Sequence, residues 1–388
     1  MRMPGAPPRT GVVRTGQPRS GRTRRRRWSS AARYRRRRAL LGASVLVVVA
    51  ASATVAGHGE ARERWAPEAR VVALSPPARA RDVAPFAQVK VVLSAASGTD
   101  RLRPRLSPPV PGRWSRCGRR ALCFQHASLL PVGATVTVTV SVAPPQPGRS
   151  TTNGRRFLTT FQVAPRSVGL AQVLLARLGY LPLRLRRPSS PAPAATDLRW
   201  RFASTPPSLR ADWHPGELDT MTRGAIVQFE RVHGLEQPGW PPYRASLSDG
   251  LWAVLLRAAS HDEVDPYPYS VATVSEAAPE HLTVWTDGAT TLRTSVNTGV
   301  PGATTPEGAF YVYLRYRSQT MRGVTTTGAP YVYHDVPDVS YFSGNIAIHG
   351  FARPSYGFPQ SQGCVEVPLG AAPRVFAALH YGSLVLVS

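Results

Sequence analysis

The chain has 388 residues, more than a single hydrophobic core usually supports, so several domains are expected. Its formal net charge of +26 is high enough to suggest nucleic-acid binding, but residues 1–40 hold fourteen arginines and no acidic residue. Since 26 minus 14 leaves +12 for the rest of the chain, the charge is concentrated in an N-terminal leader, and the remainder is only moderately basic.

The leader combines a basic tail, residues 1–38, with an uncharged apolar stretch, residues 39–57. This order is typical of a signal anchor or a signal peptide, and it predicts that the tail is cytoplasmic and that everything after residue 57 lies outside. Small residues around Ser52 would permit cleavage, and the adjacent arginines also suit a twin-arginine export signal. The alternative is a disordered basic arm beside a buried core helix. If residues 39–57 stay uncleaved they anchor the chain in the membrane, and export in either form argues against nucleic acid as a partner.

Residues 67–165 alternate apolar and polar positions with the two-residue period of β-strands, as in ATVTVTVSV (134–142). Short alternating runs separated by Pro and Gly predict an antiparallel β-sandwich, and the segment resembles the immunoglobulin-like modules that precede bacterial cell-wall catalytic domains. Cys117 and Cys123 lie close together here. In an oxidising exterior this pair favours a small disulfide loop, with two reduced, buried thiols as the alternative.

Residues 166–260 change to a helical period. Three amphipathic helices are predicted in SVGLAQVLLARLGYL (167–181), ELDTMTRGAIVQFERVHGL (217–235) and SDGLWAVLLRAA (248–259). We expect a small three-helix bundle, with a Pro/Ala-rich loop between its first two helices. The segment resembles the peptidoglycan-binding module of bacterial wall enzymes, which would make glycan a partner; a generic helical spacer is the alternative.

Residues 265–388 return to strands and predict a mostly-β domain. The run HLTVWTDGATTLRTSVNTG (281–299) reads as a hairpin that turns at Asp287 and Gly288. Further strands are expected in AFYVYLRYR (309–317), NIAIHGF (345–351) and SLVLVS (383–388), and residues 371–379 are the one good helix candidate.

This last segment also holds the residues that predict chemistry. A thiolate attacks acyl carbons well, but a free thiol needs a base near neutral pH, and an imidazole base must itself be oriented. Cys364 follows Gly363, His349 ends an apolar strand, and the carbonyl of Gly350 is a candidate to orient the imidazole. Backbone amides of Gln362, Gly363 and Cys364 are candidate oxyanion donors. A buried structural cysteine is the alternative, whereas a zinc site is disfavoured because no C-x-x-C, H-x-H or H-E-x-x-H spacing occurs.

The run IAIHG followed by SQGCVEVP resembles the active-site signature of the L,D-transpeptidases, whose catalytic domain is of the YkuD type. Two upstream stretches support the resemblance: the hairpin at 281–299 is similar to the family's opening hairpin, and TTPEGAFYVY (304–313) is similar to its Thr-Pro-x-Gly turn. The resemblance covers about residues 279–388. The expected fold is therefore multidomain, with an Ig-like β-sandwich, a small three-helix bundle and a mostly-β YkuD-type catalytic domain (265–388).

The resemblance implies a nucleophile at Cys364, a base at His349 and an orienting carbonyl at Gly350, with no cofactor and no metal. Ser361 matches the rest of the motif. Further substrate-binding candidates are Glu366, Tyr331 and Tyr341, and the alternative for the two tyrosines is that they are packing residues of their strands. Glu366 departs from the family pattern, which usually has Arg or Asn at this position. Its carboxylate would repel a stem-peptide carboxylate or hold the incoming amine, and the alternative is a solvated surface acid.

The function that follows is cross-linking of peptidoglycan outside the cytoplasm. The cysteine would attack the stem tetrapeptide after the L-centre of diaminopimelate, release D-Ala and pass the acyl group to an amine of another stem. An L,D-carboxypeptidase, in which water resolves the thioester, uses the same residues. A catalytically inactive protein that binds the wall through its helical segment is the alternative from a different class.

Overall fold

The computed structural model describes residues 70–388 except 96–101, 143–155, 188 and 236–244. The predicted tail and apolar stretch therefore lie outside the described residues. All the described residues belong to one compact unit. Within the described ranges, no helix has the length and apolar character needed to cross a membrane.

Residues 71–162 form two antiparallel sheets that enclose one hydrophobic core. The first sheet has the order β1-β2-β5-β4 and the second β3-β6-β7, with bounds β1 Val71–Ser75, β2 Lys90–Leu93, β3 Leu102–Ser107, β4 Gly112–Gly118, β5 Ala121–His126, β6 Thr135–Val142 and β7 Arg156–Gln162. The alternation of strand β6 places Val136, Val138 and Val140 inside. Cys117 and Cys123 form a disulfide between β4 and β5, with their Cα atoms 5.7 Å apart.

The helical segment contains the three helices expected from the periodicity, and each starts at a side-chain cap. The helices are α1 Val168–Leu178, α3 Thr220–Val232 and α4 Asp249–His261. Ser167, Asp219 and Ser248 each accept a hydrogen bond from a backbone N–H of the first turn, which satisfies a donor that has no partner within the helix. The predicted loop between α1 and α3 is more ordered than expected. It holds a two-stranded sheet, a short 3-10 helix at Ala195–Asp197 and one short α-helix, with bounds β8 Leu183–Leu185, β9 Leu198–Trp200 and α2 Pro207–Ala211.

The helical segment shares its core with the C-terminal segment. Val271, Trp285 and Leu384 of the C-terminal strands belong to the same buried cluster as the helix residues. Close contact is possible because two glycines meet: a Cβ added at Gly224 of α3 would lie 2.4 Å from the carbonyl oxygen of Gly382. The helices therefore support the C-terminal segment instead of standing apart as an isolated bundle.

The C-terminal segment consists of two sheets around a shared core and one helix. The five-stranded sheet has the order β12-β11-β10-β18-β13 and the four-stranded sheet β14-β15-β16-β17. Their bounds are β10 Ser270–Ser275, β11 His281–Thr286, β12 Ala289–Ser295, β13 Gly308–Tyr311, β14 Leu314–Val324, β15 Pro330–Ser343, β16 Ile346–Gly350, β17 Val365–Val367 and β18 Leu384–Val387, with helix α5 Ala372–Ala378. The hairpin turn at Asp287 and Gly288 is confirmed, with φ values of 43° and 98°.

The predicted strand at 309–317 is two strands in different sheets. The amide of Val312 donates to Ser383 beside β18, and the next amide, that of Tyr313, donates to Tyr341 of β15. The chain thus crosses from the five-stranded to the four-stranded sheet within one dipeptide. Val312 is fully buried where the two sheets meet, and the four-stranded sheet carries the predicted catalytic residues on its other side.

Candidate active site

The pairing of β16 with β17 brings the predicted nucleophile and base to one face of the sheet. The two strands are parallel, with Ile348 beside Val365 and His349 beside Glu366. Because alternate residues of a strand point to opposite faces, His349 lies on the same face as Ala347, and Cys364, in the turn just before β17, packs against the cluster that contains Ala347. Ile348 and Val365 face the core instead.

His349 is buried, with 4% exposure, and its ring is oriented by the neighbouring backbone. Its Nδ1 lies 3.1 Å from the carbonyl oxygen of Gly350. A carbonyl only accepts hydrogen bonds, so Nδ1 carries the proton and Nε2 remains a proton acceptor. Burial lowers the pKa of His349, which keeps the imidazole neutral at pH 7.

Gly350 has a steric role as well as an orienting carbonyl. A Cβ at this position would lie 2.9 Å from the Cβ of Ala372 and 3.0 Å from the Cγ of Pro337. Both distances are too short for a real side chain to adopt without displacing its neighbours. Helix α5 therefore packs directly on the backbone that orients His349.

Cys364 is the free cysteine among the described residues, and it is half-buried. Burial raises the pKa of the Cys364 thiol to about 11, so the group is protonated at neutral pH before substrate binds. Its Sγ lies 3.9 Å from the carbonyl oxygen of Asn345, and no hydrogen bond joins it to the imidazole within the described part of the chain. Such bonds are commonly long or absent without substrate and tighten in the reacting complex.

The residues before Cys364 form a turn held by Ser361. The Ser361 hydroxyl donates to the carbonyl of Cys364 at 2.6 Å and accepts from the amide of Gly363 at 3.1 Å. Gly363 has φ 105°, a conformation that favours glycine, and its carbonyl accepts from the buried hydroxyl of Thr305 at 2.9 Å. Ser361 is 2% exposed, and in this structure its hydroxyl holds the turn.

The same turn reduces the number of backbone amides that are available as oxyanion donors. The Gly363 amide already donates to Ser361, which makes it unavailable in this conformation. The amides of Gln362 and Cys364 have no acceptor among the described residues. The Gln362 side chain has a separate role, since its Oε1 accepts from the amide of Thr326 at the tip of the β14–β15 hairpin.

Glu366 is not the solvated surface acid that was the alternative expectation, and its carboxylate is paired within the protein. It is 4% exposed, and its two carboxylate oxygens each accept a 2.8 Å hydrogen bond from Arg353. This bidentate pair satisfies a charge that would be unfavourable if buried alone. The carboxylate therefore presents no free negative charge to an incoming peptide.

The two tyrosines predicted at the substrate site lie near the thiol in different settings. Burial first, and the nearby Cys364 second, raise the pKa of Tyr331 and raise that of Tyr341 to about 12. Tyr341 is 5% exposed and packs in a small core cluster with Ala347, whereas Tyr331 is half-buried. The Tyr331 ring lies over Gly323, where an added Cβ would come 2.5 Å from the tyrosine hydroxyl. Tyr331 is thus the better placed of the two to contact a ligand.

Sequence reasoning did not find Arg353, Thr305 or Asn297. Asn297 is fully buried; its amide oxygen accepts from Gly357, and its backbone pairs with that of Glu366. One signal in the sequence could have found Arg353: it is the only charged residue between His349 and Cys364, and the acidic Glu366 follows shortly after. The roles of Thr305 and Asn297 depend on contacts about 60 residues away in sequence, with separations of 58 and 60, which no local pattern encodes.

The arrangement suits acyl transfer: a thiol and a neutral, oriented imidazole share one sheet face beside unpaired backbone amides. The described residues include no group of three or more His, Cys, Asp or Glu that could hold a metal ion.

Comparison with known proteins identifies the domain that carries this site. Residues 270–387 match the family model of the L,D-transpeptidase catalytic domain, YkuD. No curated protein matches the chain. The match covers the site and both C-terminal sheets, so this segment is a YkuD-type catalytic domain.

Several solved structures are similar to the chain. An L,D-transpeptidase from Mycobacterium smegmatis is 13% identical, covers 82% of this chain and 99% of its own, and has a TM-score of 0.28. L,D-transpeptidase 3 from Mycobacterium tuberculosis with a faropenem-derived adduct is 13% identical over 82% and 97%, at 0.29. The catalytic domain of an E. faecium L,D-transpeptidase acylated by ertapenem is 27% identical over 31% and 97%, at 0.28. With TM-scores this low, the assignment rests on the family model.

Proposed function

We propose that this chain is an exported peptidoglycan L,D-transpeptidase in which Cys364 is the nucleophile, His349 the base and Gly350 the carbonyl that orients it. The observation that carries the proposal is the Nδ1 contact of His349 with Gly350 on the sheet face that also bears Cys364, within a YkuD-type domain. A structural cysteine would not need an oriented, neutral imidazole beside it.

The reaction begins when Nε2 of His349 takes the thiol proton of Cys364 as Sγ attacks the carbonyl carbon after the L-centre of diaminopimelate. The resulting oxyanion is stabilised by the amides of Gln362 and Cys364. Collapse breaks the peptide bond, and His349 returns the proton to the leaving amine of D-Ala. An amine of a second stem then attacks the thioester, forms the cross-link and restores the thiol.

The remaining segments fit the same role. Residues 67–165 would be an Ig-like spacer, residues 166–260 a module that binds glycan, and the leader an export signal or anchor. Peptidoglycan stems and glycan are then the partners, and the site of action is the cell wall. The basic leader supports export because an apolar stretch follows it directly.

Intact mass after carbapenem treatment tests the catalytic assignment. Relatives in this fold class have been captured with ertapenem and with a faropenem-derived adduct. We expect a covalent adduct on the wild-type chain, none on Cys364→Ala, and slow formation on His349→Ala. A wild-type chain that binds isolated cell walls but forms no adduct would instead indicate an inactive wall-binding protein.

The acceptor of the acyl group is tested with disaccharide-tetrapeptide. We expect a cross-linked dimer with release of D-Ala, identified by mass. If the only product is the trimmed tripeptide, water resolves the thioester and the chain is an L,D-carboxypeptidase. Both results keep Cys364 as the nucleophile, so this assay separates the two reactions and leaves the first test independent.

A further inference from the structure

Arg353 is the one charged residue in the loop that joins the catalytic histidine to the nucleophile turn. Its Nε and Nη2 bind the two carboxylate oxygens of Glu366, and Nη2 also donates to the carbonyl of Gln360. Nη1 forms no hydrogen bond within the described residues. The side chain is 25% exposed, against 6% for Glu366, so the guanidinium reaches the surface while its counter-ion is buried beneath it.

The guanidinium lies one aromatic ring away from the catalytic base. It is 4.8 Å from the ring centroid of Phe351, whose edge meets the His349 ring at 5.9 Å between centroids. Phe351 also contacts Tyr333 at 4.9 Å, and Tyr333 stacks on Tyr331 at 5.1 Å. An aromatic row therefore runs from Tyr331, beside the thiol, to the Arg353 cation.

The distance from the nucleophile suits a group on the same substrate. Cys364 lies in the turn just before strand β17, and Glu366 lies within that strand two residues later, so their Cα atoms are at most about 7 Å apart. A cation held above Glu366 is thus within reach of a group a few bonds from the attacked carbonyl. A donor stem with D-isoglutamine as its second residue has two such anionic groups, the carboxylate of its terminal D-Ala and the carboxylate at the D-centre of diaminopimelate.

Glu366 fixes the orientation of the Arg353 guanidinium. It occupies one edge of the guanidinium fork, so the side chain cannot turn that edge toward substrate, and Nη1 is the donor that remains. Pre-ordering by a buried partner reduces the entropy that Arg353 loses when it binds an anion. A Lys at this position lacks the planar fork of donors that lets Arg353 bind Glu366 through one edge and an anion through Nη1.

We infer that Arg353, oriented by Glu366, is a binding site for a free carboxylate of the donor stem peptide. This inference rests on the proposed transpeptidase function and adds the group that recognises the anionic part of the donor. The acyl-transfer chemistry at Cys364 does not change, because Arg353 acts on binding and orientation.

The test compares three donors on the purified full-length chain. All three have D-isoglutamine as the second residue. The first is a diaminopimelate tetrapeptide with its two remaining carboxylates free, the second has its terminal D-Ala as the amide, and the third has Lys in place of diaminopimelate and so lacks the D-centre carboxylate. The main variant is Arg353→Gln with Glu366→Gln, which removes the cation without leaving a buried charge unpaired. Arg353→Lys is the second variant, and Arg374→Gln, an exposed arginine of helix α5, is the control.

The rate of D-Ala or D-Ala amide release gives kcat/KM for each combination of enzyme variant and donor. We expect the double variant to lose about 10- to 100-fold on the free-acid donor, the range for a lost charge-assisted hydrogen bond. On one modified donor, the variant and wild type should be nearly equal, and that donor identifies the carboxylate that Arg353 binds. Arg353→Lys should lose less than the double variant, and Arg374→Gln should match wild type on all three donors.

An equal loss on all three donors would overturn the inference, since it would mean that the ion pair only supports the loop. No loss on the free-acid donor would also overturn it. The carbapenem adduct on Cys364, measured on every variant, shows that the site is still folded. If wild type itself releases nothing from the free-acid donor, the proposed function fails, and that result is distinct from turnover without discrimination.

Discussion

Replacing Arg353 by Gln alone should leave Glu366 as a buried carboxylate without a cation. Glu366 is 4% exposed and receives both of its charged hydrogen bonds from this one side chain. Removing one partner of a buried pair typically lowers the free energy of unfolding by about 3–5 kcal/mol. Because Arg353 reaches the surface, we expect the lower end of that range, about 3 kcal/mol.

Two matched variants separate the effect of an unpaired buried charge on stability from the effect of the changed side-chain shape. Glu366→Gln leaves a guanidinium that water can reach, so its loss should be smaller, about 1–3 kcal/mol. With both residues changed to Gln, no buried charge is left unpaired, and the free energy of unfolding should return to within about 1 kcal/mol of wild type. The double-mutant cycle would then show a coupling energy well above the roughly 0.5 kcal/mol expected for independent sites.

Urea unfolding followed by intrinsic fluorescence measures these values, with Arg374→Gln as the control that should stay within about 0.5 kcal/mol. The reasoning is refuted if Arg353→Gln is no less stable than the double variant. That outcome would mean that water already solvates Glu366 in the folded state.

Three further predictions concern the catalytic machinery. Gly350→Ala should lower unfolding stability by about 1–3 kcal/mol in urea and slow carbapenem acylation, because the new methyl overlaps helix α5. Gln362→Ala should speed amide exchange at Thr326 about 5-fold by mass spectrometry, the effect of losing about 1 kcal/mol; unchanged exchange would mean that the hairpin tip is held elsewhere. The acylation rate should be flat from about pH 7 to 10 and fall only at acid pH: burial lowers the pKa of His349, so the neutral base persists below its usual 6.5, while the Cys364 pKa of about 11 keeps the thiol protonated. A tenfold rise per pH unit across that range would instead indicate attack by thiolate formed without His349.

Local patterns in the chain were sufficient for several elements of the fold. The hairpin turn at Asp287 depends on two adjacent residues with positive φ. The strand that ends at His349 is an apolar run next to a glycine. Each of these is encoded within a few residues, which is why the sequence predicts it.

Contacts between distant residues decided the features that were mispredicted. The stretch 309–317 reads as one strand, yet it divides because Val312 pairs beside β18 and Tyr313 pairs with β15. A glycine in the middle of α3 has no local purpose, and only the backbone of Gly382 against it explains why no side chain fits.

The sequence by itself determined that a thiol, an imidazole and an orienting carbonyl belong together near the end of this chain, because their spacing and flanking residues form a recognisable motif. The tertiary structure alone decided what Glu366 does. The sequence does not show whether water or an arginine surrounds a carboxylate. The role of Glu366 depends on which side chain the loop between His349 and Cys364 brings within 2.8 Å of it. Here that residue is Arg353, which replaces an expected repulsion with a buried ion pair one aromatic ring away from His349.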